Sequence, residues 1–205
     1  IGFGFASGLR SILRQDPDVV MVGEIRDFET AEMGVQAALP GHIVLSTLHT
    51  NDAAGAIPRL IDMKVEPFLL ISSVNTIIAQ RLVRKICENC LEEDTVSEMI
   101  RKEISEELEA LPEKEKGKVE TKNLKFYKGK GCEACNSSGY KGRIGLFEVL
   151  GMSPAVQEIT IRKSGSAEIE TQAKKDGMVT LKQDGILKAI DKLTSIEEIW
   201  RVTKD

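Results

Sequence analysis

The sequence predicts an α/β protein, and two observations carry that reading. Short β-branched runs alternate with amphipathic helical stretches in its first part, and two Cys-x-x-Cys pairs follow at a spacing that suits one shared metal ion. Residues 19–22 (VVMV) form a continuous apolar run, the mark of a strand covered on both faces in a parallel sheet. A helix should follow, capped by Asp27, with Phe28, Ala31, Val35 and Ala38 on one face and Pro40 and Gly41 as its stop. Residues 43–48 (IVLSTL) read as the next strand. Asn51 or Asp52 then caps a second helix, in which Pro58 removes an amide at a cost of about 3 kcal/mol if the strain is not relieved. Pro67 suits the first turn of a long helix whose apolar stripe is Phe68, Ile71, Val74, Ile78 and Leu82. Strand, helix, strand, helix with short links has the pattern of a doubly wound domain, assigned here to residues 1–86.

Residues 87–145 form a second region around Cys87, Cys90, Cys132 and Cys135, the only cysteines of the chain. A two-residue spacer lets both thiolates of a pair reach one tetrahedral ion with Zn–S of about 2.3 Å. Four thiolates around Zn2+ leave two surplus negative charges, and Arg81, Arg84, Lys85, Lys128, Lys130, Lys141 and Arg143 flank the pairs. The competing reading is two disulfides or a redox motif. No signal peptide or apolar membrane-length run opens the chain, and disulfides are uncommon in the cytosol, so a structural zinc is favoured. With all four positions held by cysteine, no coordination site is left for water, and the zinc is a staple. Between the pairs, Thr95-x-x-Glu98 reads as a capping box that opens a helix with Val96, Met99, Ile100, Ile104, Leu108 and Leu111 on one side. The Lys- and Glu-rich stretch 112–122 reads as a solvated linker, and Gly139, Gly142 and Gly145 mark tight turns.

Residues 146–205 read as a third region of short helices. Pro154 fits a first turn, and Thr180-x-x-Gln183 and Ser195-x-x-Glu198 are further capping boxes. Trp200 reads as a core residue or a docking surface for a neighbouring subunit. A hydrophobic share of 41% supports a real core, while a net charge of −4 and a pI near 5.5 argue against a nucleic-acid binder. The chain begins mid-pattern at Ile1, and residues 1–10 are already glycine-rich, so the expectation is a portion of a longer protein.

The chemistry sits at strand ends. Ligands of open α/β sheets bind at the carboxyl ends of strands, which places Glu24, after the first apolar run, at the rim of such a site. A carboxylate there can orient water for attack on a phosphate. The next strand ends in Thr47, Leu48 and His49, and alternation gives Thr47 and His49 one side, suited to sensing phosphate. Taken singly, Glu24 could be structural, and His42 and His49 could be histidines bonded to backbone.

Residues 5–27 (FASGLRSILRQDPDVVMVGEIRD) resemble the Walker B segment of the secretion ATPase superfamily, and residues 41–51 (GHIVLSTLHTN) resemble its histidine box. The resemblance runs on through 72–82 (SSVNTIIAQRL), both cysteine pairs, 139–150 (GYKGRIGLFEVL) and 177–203. It implies the C-terminal part of a RecA-like ATPase domain, followed by a tetracysteine zinc subdomain and a small helical C-terminal subdomain. It further implies a homo-hexameric motor that takes ATP and Mg2+ on the cytoplasmic side of the bacterial inner membrane. Such a motor works against a membrane platform protein, with no nucleic acid and no direct membrane insertion. The cysteines favour the type IV pilus assembly and type II secretion branches over retraction, and the wording of 73–78 and 194–198 leans toward pilus assembly. By position Glu24 matches the catalytic glutamate, His49 the histidine that senses the γ-phosphate and His42 the other histidine of the box, with Thr47 at the nucleotide. Arg26 is given no catalytic role and reads as a subunit-interface or intradomain ion pair.

The departures from the family pattern bound what this chain does alone. No Gly-x-x-x-x-Gly-Lys-Ser/Thr occurs, so the phosphate-cradling loop is missing from these residues. Gly23 stands where a magnesium aspartate is usual, and Gly4, Pro40 and Pro58 stand where the family has threonine. The expectation is that the chain by itself does not hydrolyse ATP, although the intact protein does. A reading of another class is a non-catalytic, zinc-stabilised interaction module.

Overall fold

A computed structural model describes residue 8, residues 11–117 and residues 124–204. The sequence readings on residues 1–7 and on 118–123 therefore lie outside the described residues, Gly4 among them. The chain runs through β1 (Val19–Ile25), α1 (Phe28–Ala38), β2 (Ile43–Leu48), α2 (Ala56–Asp62) and α3 (Pro67–Ser73). It continues through β3 (Thr76–Ile86), β4 (Leu91–Asp94), α4 (Glu98–Glu109), α5 (Glu113–Lys116), β5 (Phe126–Gly129) and β6 (Tyr140–Gly151). Four helices follow: α6 (Pro154–Ile161), α7 (Ser166–Lys175), α8 (Leu181–Ile190) and α9 (Ile196–Thr203). No helix among the described residues is long and apolar enough to cross a membrane.

The chain divides into two compact units, residues 1–77 with 150–176 and residues 78–149 with 177–205. These regroup the three regions read from the sequence: α6 and α7 join the first unit, α8 and α9 the second, and β6 runs through residue 145. In the first unit β1 and β2 pair in parallel, Val19 opposite Ile43 and Val22 opposite Ser46, and the register shifts between Val22 and Ile25. Asp27 caps α1 as expected, its carboxylate accepting from the Thr30 amide at 2.9 Å. Ala31 and Val35 of α1 pack with Leu60, Val65 and Leu70 in one core. Val20 and Val22 pack with Met33 in another.

Three local expectations over residues 19–86 need correction. Within this chain the apolar run of β1 is covered on one face only: Val20 and Val22 are buried, whereas Val19 is 52% and Met21 76% exposed. The second helix starts at Ala56 after Gly55, since Asp52 accepts from the Gly55 amide at 2.6 Å and holds the turn before it. Pro58 thus falls in the first turn, where a helix has no use for its amide, and the expected kink does not arise. The long helix from Pro67 ends at Ser73, and 76–86 is a strand. Its inward positions alternate, and Ile78 and Leu82 of the supposed stripe are exposed.

In the second unit β4 and β5 form an antiparallel pair, Leu91 opposite Gly129 and Asp94 opposite Phe126. Strand β3 pairs with β6. Phe126, Ile104, Leu108, Ile186 and Ile199 fill the main core, with Trp200 packed at its edge. The Trp200 indole N–H donates to Glu103 at 3.1 Å, and the Lys182 ammonium lies 4.9 Å from the ring centroid. Ser97 caps α4 in place of the expected Thr95, because its hydroxyl reaches the Ile100 amide. The Thr180–Gln183 box forms with both bonds. The Ser195–Glu198 box forms by half: Ser195 accepts from the Glu198 amide, but the Glu198 carboxylate turns to Arg84 and Arg201. Those arginine bonds, Arg201 first, hold that buried carboxyl down at about 2.

Candidate active site and tetracysteine centre

Parallel pairing brings the carboxyl ends of β1 and β2 side by side, and the first candidate site forms there. Glu24, near the end of β1, and His49, just past β2, meet with His49 Nε2 3.1 Å from Glu24 Oε2. Arg26 Nε reaches the same oxygen at 2.8 Å. Arg26 lies just past the end of β1, and its bond to Glu24 is the intradomain ion pair, one of the two readings of this residue. Arg26 and His49 hold the Glu24 carboxyl below the usual carboxylate range, the Arg26 bond contributing most and the His49 bond next. All three side chains stay open to solvent, His49 most of all at 79%.

The other two residues singled out at this edge do different work. The Thr47 hydroxyl donates to the Gly23 carbonyl at 2.7 Å, which ties the end of β2 to the irregular stretch of β1. His42 lies apart from Glu24: its Nδ1 is 2.7 Å from the Pro17 carbonyl, before β1 begins. Chemically, the edge offers a carboxylate held by a guanidinium and an imidazole, with that imidazole exposed to solvent.

The second site is the cluster of Cys87, Cys90, Cys132 and Cys135, whose sulfurs all lie within 4.8 Å of one another. Individual separations are 3.9 Å for Cys87–Cys132, 3.8 Å for Cys90–Cys135 and 3.7 Å for Cys132–Cys135. A tetrahedral ion with metal–sulfur bonds of about 2.3 Å requires ligand sulfurs about 3.8 Å apart, so the cage has the size of such an ion. All four cysteines are free. The β4–β5 register sets the two pairs beside each other: just past its end, the Lys130 amide donates to the Cys90 carbonyl at 2.9 Å.

Backbone amides point at the sulfurs, as a thiolate centre needs. The Gly131 amide donates to Cys90 Sγ at 3.3 Å, and the Cys132 and Gly139 amides donate to Cys135 Sγ at 3.2 and 3.3 Å. These bonds, the Cys132 amide foremost, pull the Cys135 thiol down, while desolvation pushes Cys90 up. The turn that aims the amides uses left-handed backbone at Asn136 (φ 49°), Ser137 (φ 59°) and Gly139 (φ 76°). At Gly139 a Cβ would sit far inside contact with the Gly129 carbonyl. Gly139→Ala should therefore destabilise the chain by about 3 kcal/mol, from backbone strain and overpacking together, and lower its metal content. Urea unfolding checks this, and an unchanged midpoint would show that the turn does not depend on glycine.

The family model described as type II/IV secretion system protein matches residues 1–201. The chain is 48% identical over 204 residues to the type IV pilus assembly ATPase PilB of Pseudomonas aeruginosa, covering all of this chain and 34% of that protein. It is 47% identical over 201 residues to type II secretion system protein E of Aeromonas hydrophila, covering 98% of this chain and 38% of that protein. Among solved structures, the pilus retraction motor PilT with bound ADP superposes with a TM-score of 0.64 at 24% identity, over 99% of this chain and 44% of that one. The last likeness speaks for the fold alone. The chain spans about a third of the length of the curated relatives cited here.

Proposed function

The chain belongs to the type II/IV secretion system protein family, and from that premise we propose that the full protein is an ATPase that powers type IV pilus assembly. The observation that carries the catalytic part is the Glu24–His49 contact at the carboxyl edge of two parallel strands. In this reading ATP with Mg2+ supplies the phosphoryl group, and Glu24 orients the attacking water through its carboxylate. His49 answers to the γ-phosphate, Thr47 fixes the strand end beside it, and His42 braces the start of β1 from the second strand. The four cysteines hold a structural Zn2+, which supplies charge and geometry but no open coordination site. A homo-hexamer at the cytoplasmic face of the inner membrane, acting on a platform protein by domain motion, completes the proposal. We also keep the three-region division, with residues 87–145 as the zinc-binding part.

A second reading, type II secretion, draws support from nearly equal identity to the two kinds of relative. One experiment separates the readings. The full-length protein is assayed for Mg2+-dependent ATP hydrolysis, and its gene is deleted from the parent bacterium. Hydrolysis with loss of surface pili and intact secretion supports pilus assembly; loss of secretion with intact pili supports the second reading. A full-length protein that binds ATP without hydrolysing it would replace both with a non-catalytic module. The 205-residue chain alone, lacking a phosphate-cradling loop, should show no hydrolysis.

A further inference from the structure

We infer that the corner between α8 and α9 is the outer frame of the tetracysteine centre and that Glu198 is a positioning residue for the metal held there. The inference rests on the reading of the four cysteines as a zinc site. The corner grips both strands that deliver the cysteines. On β3, three residues before Cys87, the Arg84 amide donates to Glu198 Oε2 at 2.8 Å and its guanidinium to Oε1 at 2.7 Å. The Arg84 carbonyl accepts from the Thr194 hydroxyl at 2.8 Å, and the Ile86 amide donates to the Leu193 carbonyl at 3.0 Å.

On β6 the Tyr140 hydroxyl meets Ser195 Oγ at 2.8 Å, and the Arg84 guanidinium lies 4.0 Å from the centroid of the Tyr140 ring. Tyr140 follows Gly139 directly, and Gly139 touches both pairs: its amide bonds Cys135 Sγ, and its carbonyl accepts from the Cys87 amide at 3.0 Å. The bonded path from the corner to either cysteine pair is therefore only a few residues long.

The chemistry of Glu198 fits a positioning role better than simple stabilisation. Its side chain is fully buried, and burying a carboxylate is seldom the cheapest way to fill a core. What the carboxylate supplies is direction: two bonds from Arg201 hold it in place, and two from Arg84 set where β3 leaves the core. A metal site tolerates ligand displacements of about 0.2 Å, so slack in β3 is felt at Cys87. Linkage is reciprocal: if the corner strengthens metal binding, bound metal tightens the corner by the same free energy.

The test compares metal affinity across variants of the 205-residue chain. Glu198→Gln keeps the shape and removes the charge; Ile159→Val, buried in α6 of the other unit, is the control for a general loss of stability. Competition with a chromophoric chelator should show zinc affinity falling about tenfold in Glu198→Gln and unchanged in Ile159→Val. Trp200, the single tryptophan, lies on α9, and its emission should shift when zinc is stripped from the wild type. A folded Glu198→Gln with wild-type affinity, or a Trp200 signal indifferent to zinc, would overturn the inference. If Glu198→Gln does not fold, Tyr140→Phe, which deletes only the hydroxyl to Ser195, should weaken zinc about threefold, and unchanged affinity there would overturn it equally. A wild-type chain without zinc would be a separate failure, that of the zinc reading itself.

Discussion

Stripping the metal from the tetracysteine centre should cost the second unit about 4 kcal/mol when free zinc had stood 1,000-fold above its dissociation constant. The reason lies in how the segment is built. Residues 87–91 and 129–140 have little apolar anchoring of their own beyond Cys87 and Cys135, and the second segment uses left-handed backbone at two non-glycine positions, Asn136 and Ser137. In the zinc reading, four sulfurs within 4.8 Å are held together by a shared ion, and without it each would regain a proton or separate. The core around Phe126 and Ile199 does not include the sulfurs, so most of the helical signal should survive. Amide exchange should therefore quicken first at Cys87, Lys130 and Gly139, well before α4 and α8. A thermal unfolding curve that chelation leaves unmoved would contradict this.

Replacing Glu24 by Gln in the full-length protein should lower kcat by about 100-fold or more, with the KM for ATP little changed. The substitution keeps the shape and part of the hydrogen bonding to Arg26 and His49, so the strand edge should persist. What it removes is the negative acceptor that orients water, and phosphoryl transfer depends mainly on positioning and charge. His49→Ala should reduce kcat less, because Arg26 still holds the same carboxylate oxygen. Steady-state hydrolysis decides the matter. A Glu24→Gln variant at wild-type rate would remove Glu24 from the reaction.

How much was legible in the sequence differs by element, for physical reasons. The positions of strands β1 and β2, the Asp27 cap and the Thr180–Gln183 box rest on signals local to a few residues and agree with the structure, while the covering of β1 on both faces does not. The convergence of four cysteines was legible because a two-residue spacer carries its own geometry. Residues 76–86 were misread since Phe68, Ile71, Val74, Ile78 and Leu82 satisfy a helical period, while the pairing with β6 that makes a strand lies far along the chain. The Thr95 cap was read from its spacing to Glu98 alone, whereas Ser97 caps α4 because its hydroxyl reaches the Ile100 amide. Pro58 looked costly because the helix start was set at Asn51 or Asp52; the Asp52 turn moves that start to Ala56. The Arg26–Glu24 pair joins residues two apart and is one of the two ion-pair readings of Arg26, whereas the clamp of Arg84 on Glu198 joins residues 114 apart and has no local sign.

The most direct test of the account is zinc measured on the purified chain by elemental analysis, with X-ray absorption at the zinc edge. The account predicts one zinc per chain with four sulfur neighbours at about 2.3 Å. Absence of metal, with Cys87, Cys90, Cys132 and Cys135 recovered as disulfides, would contradict it.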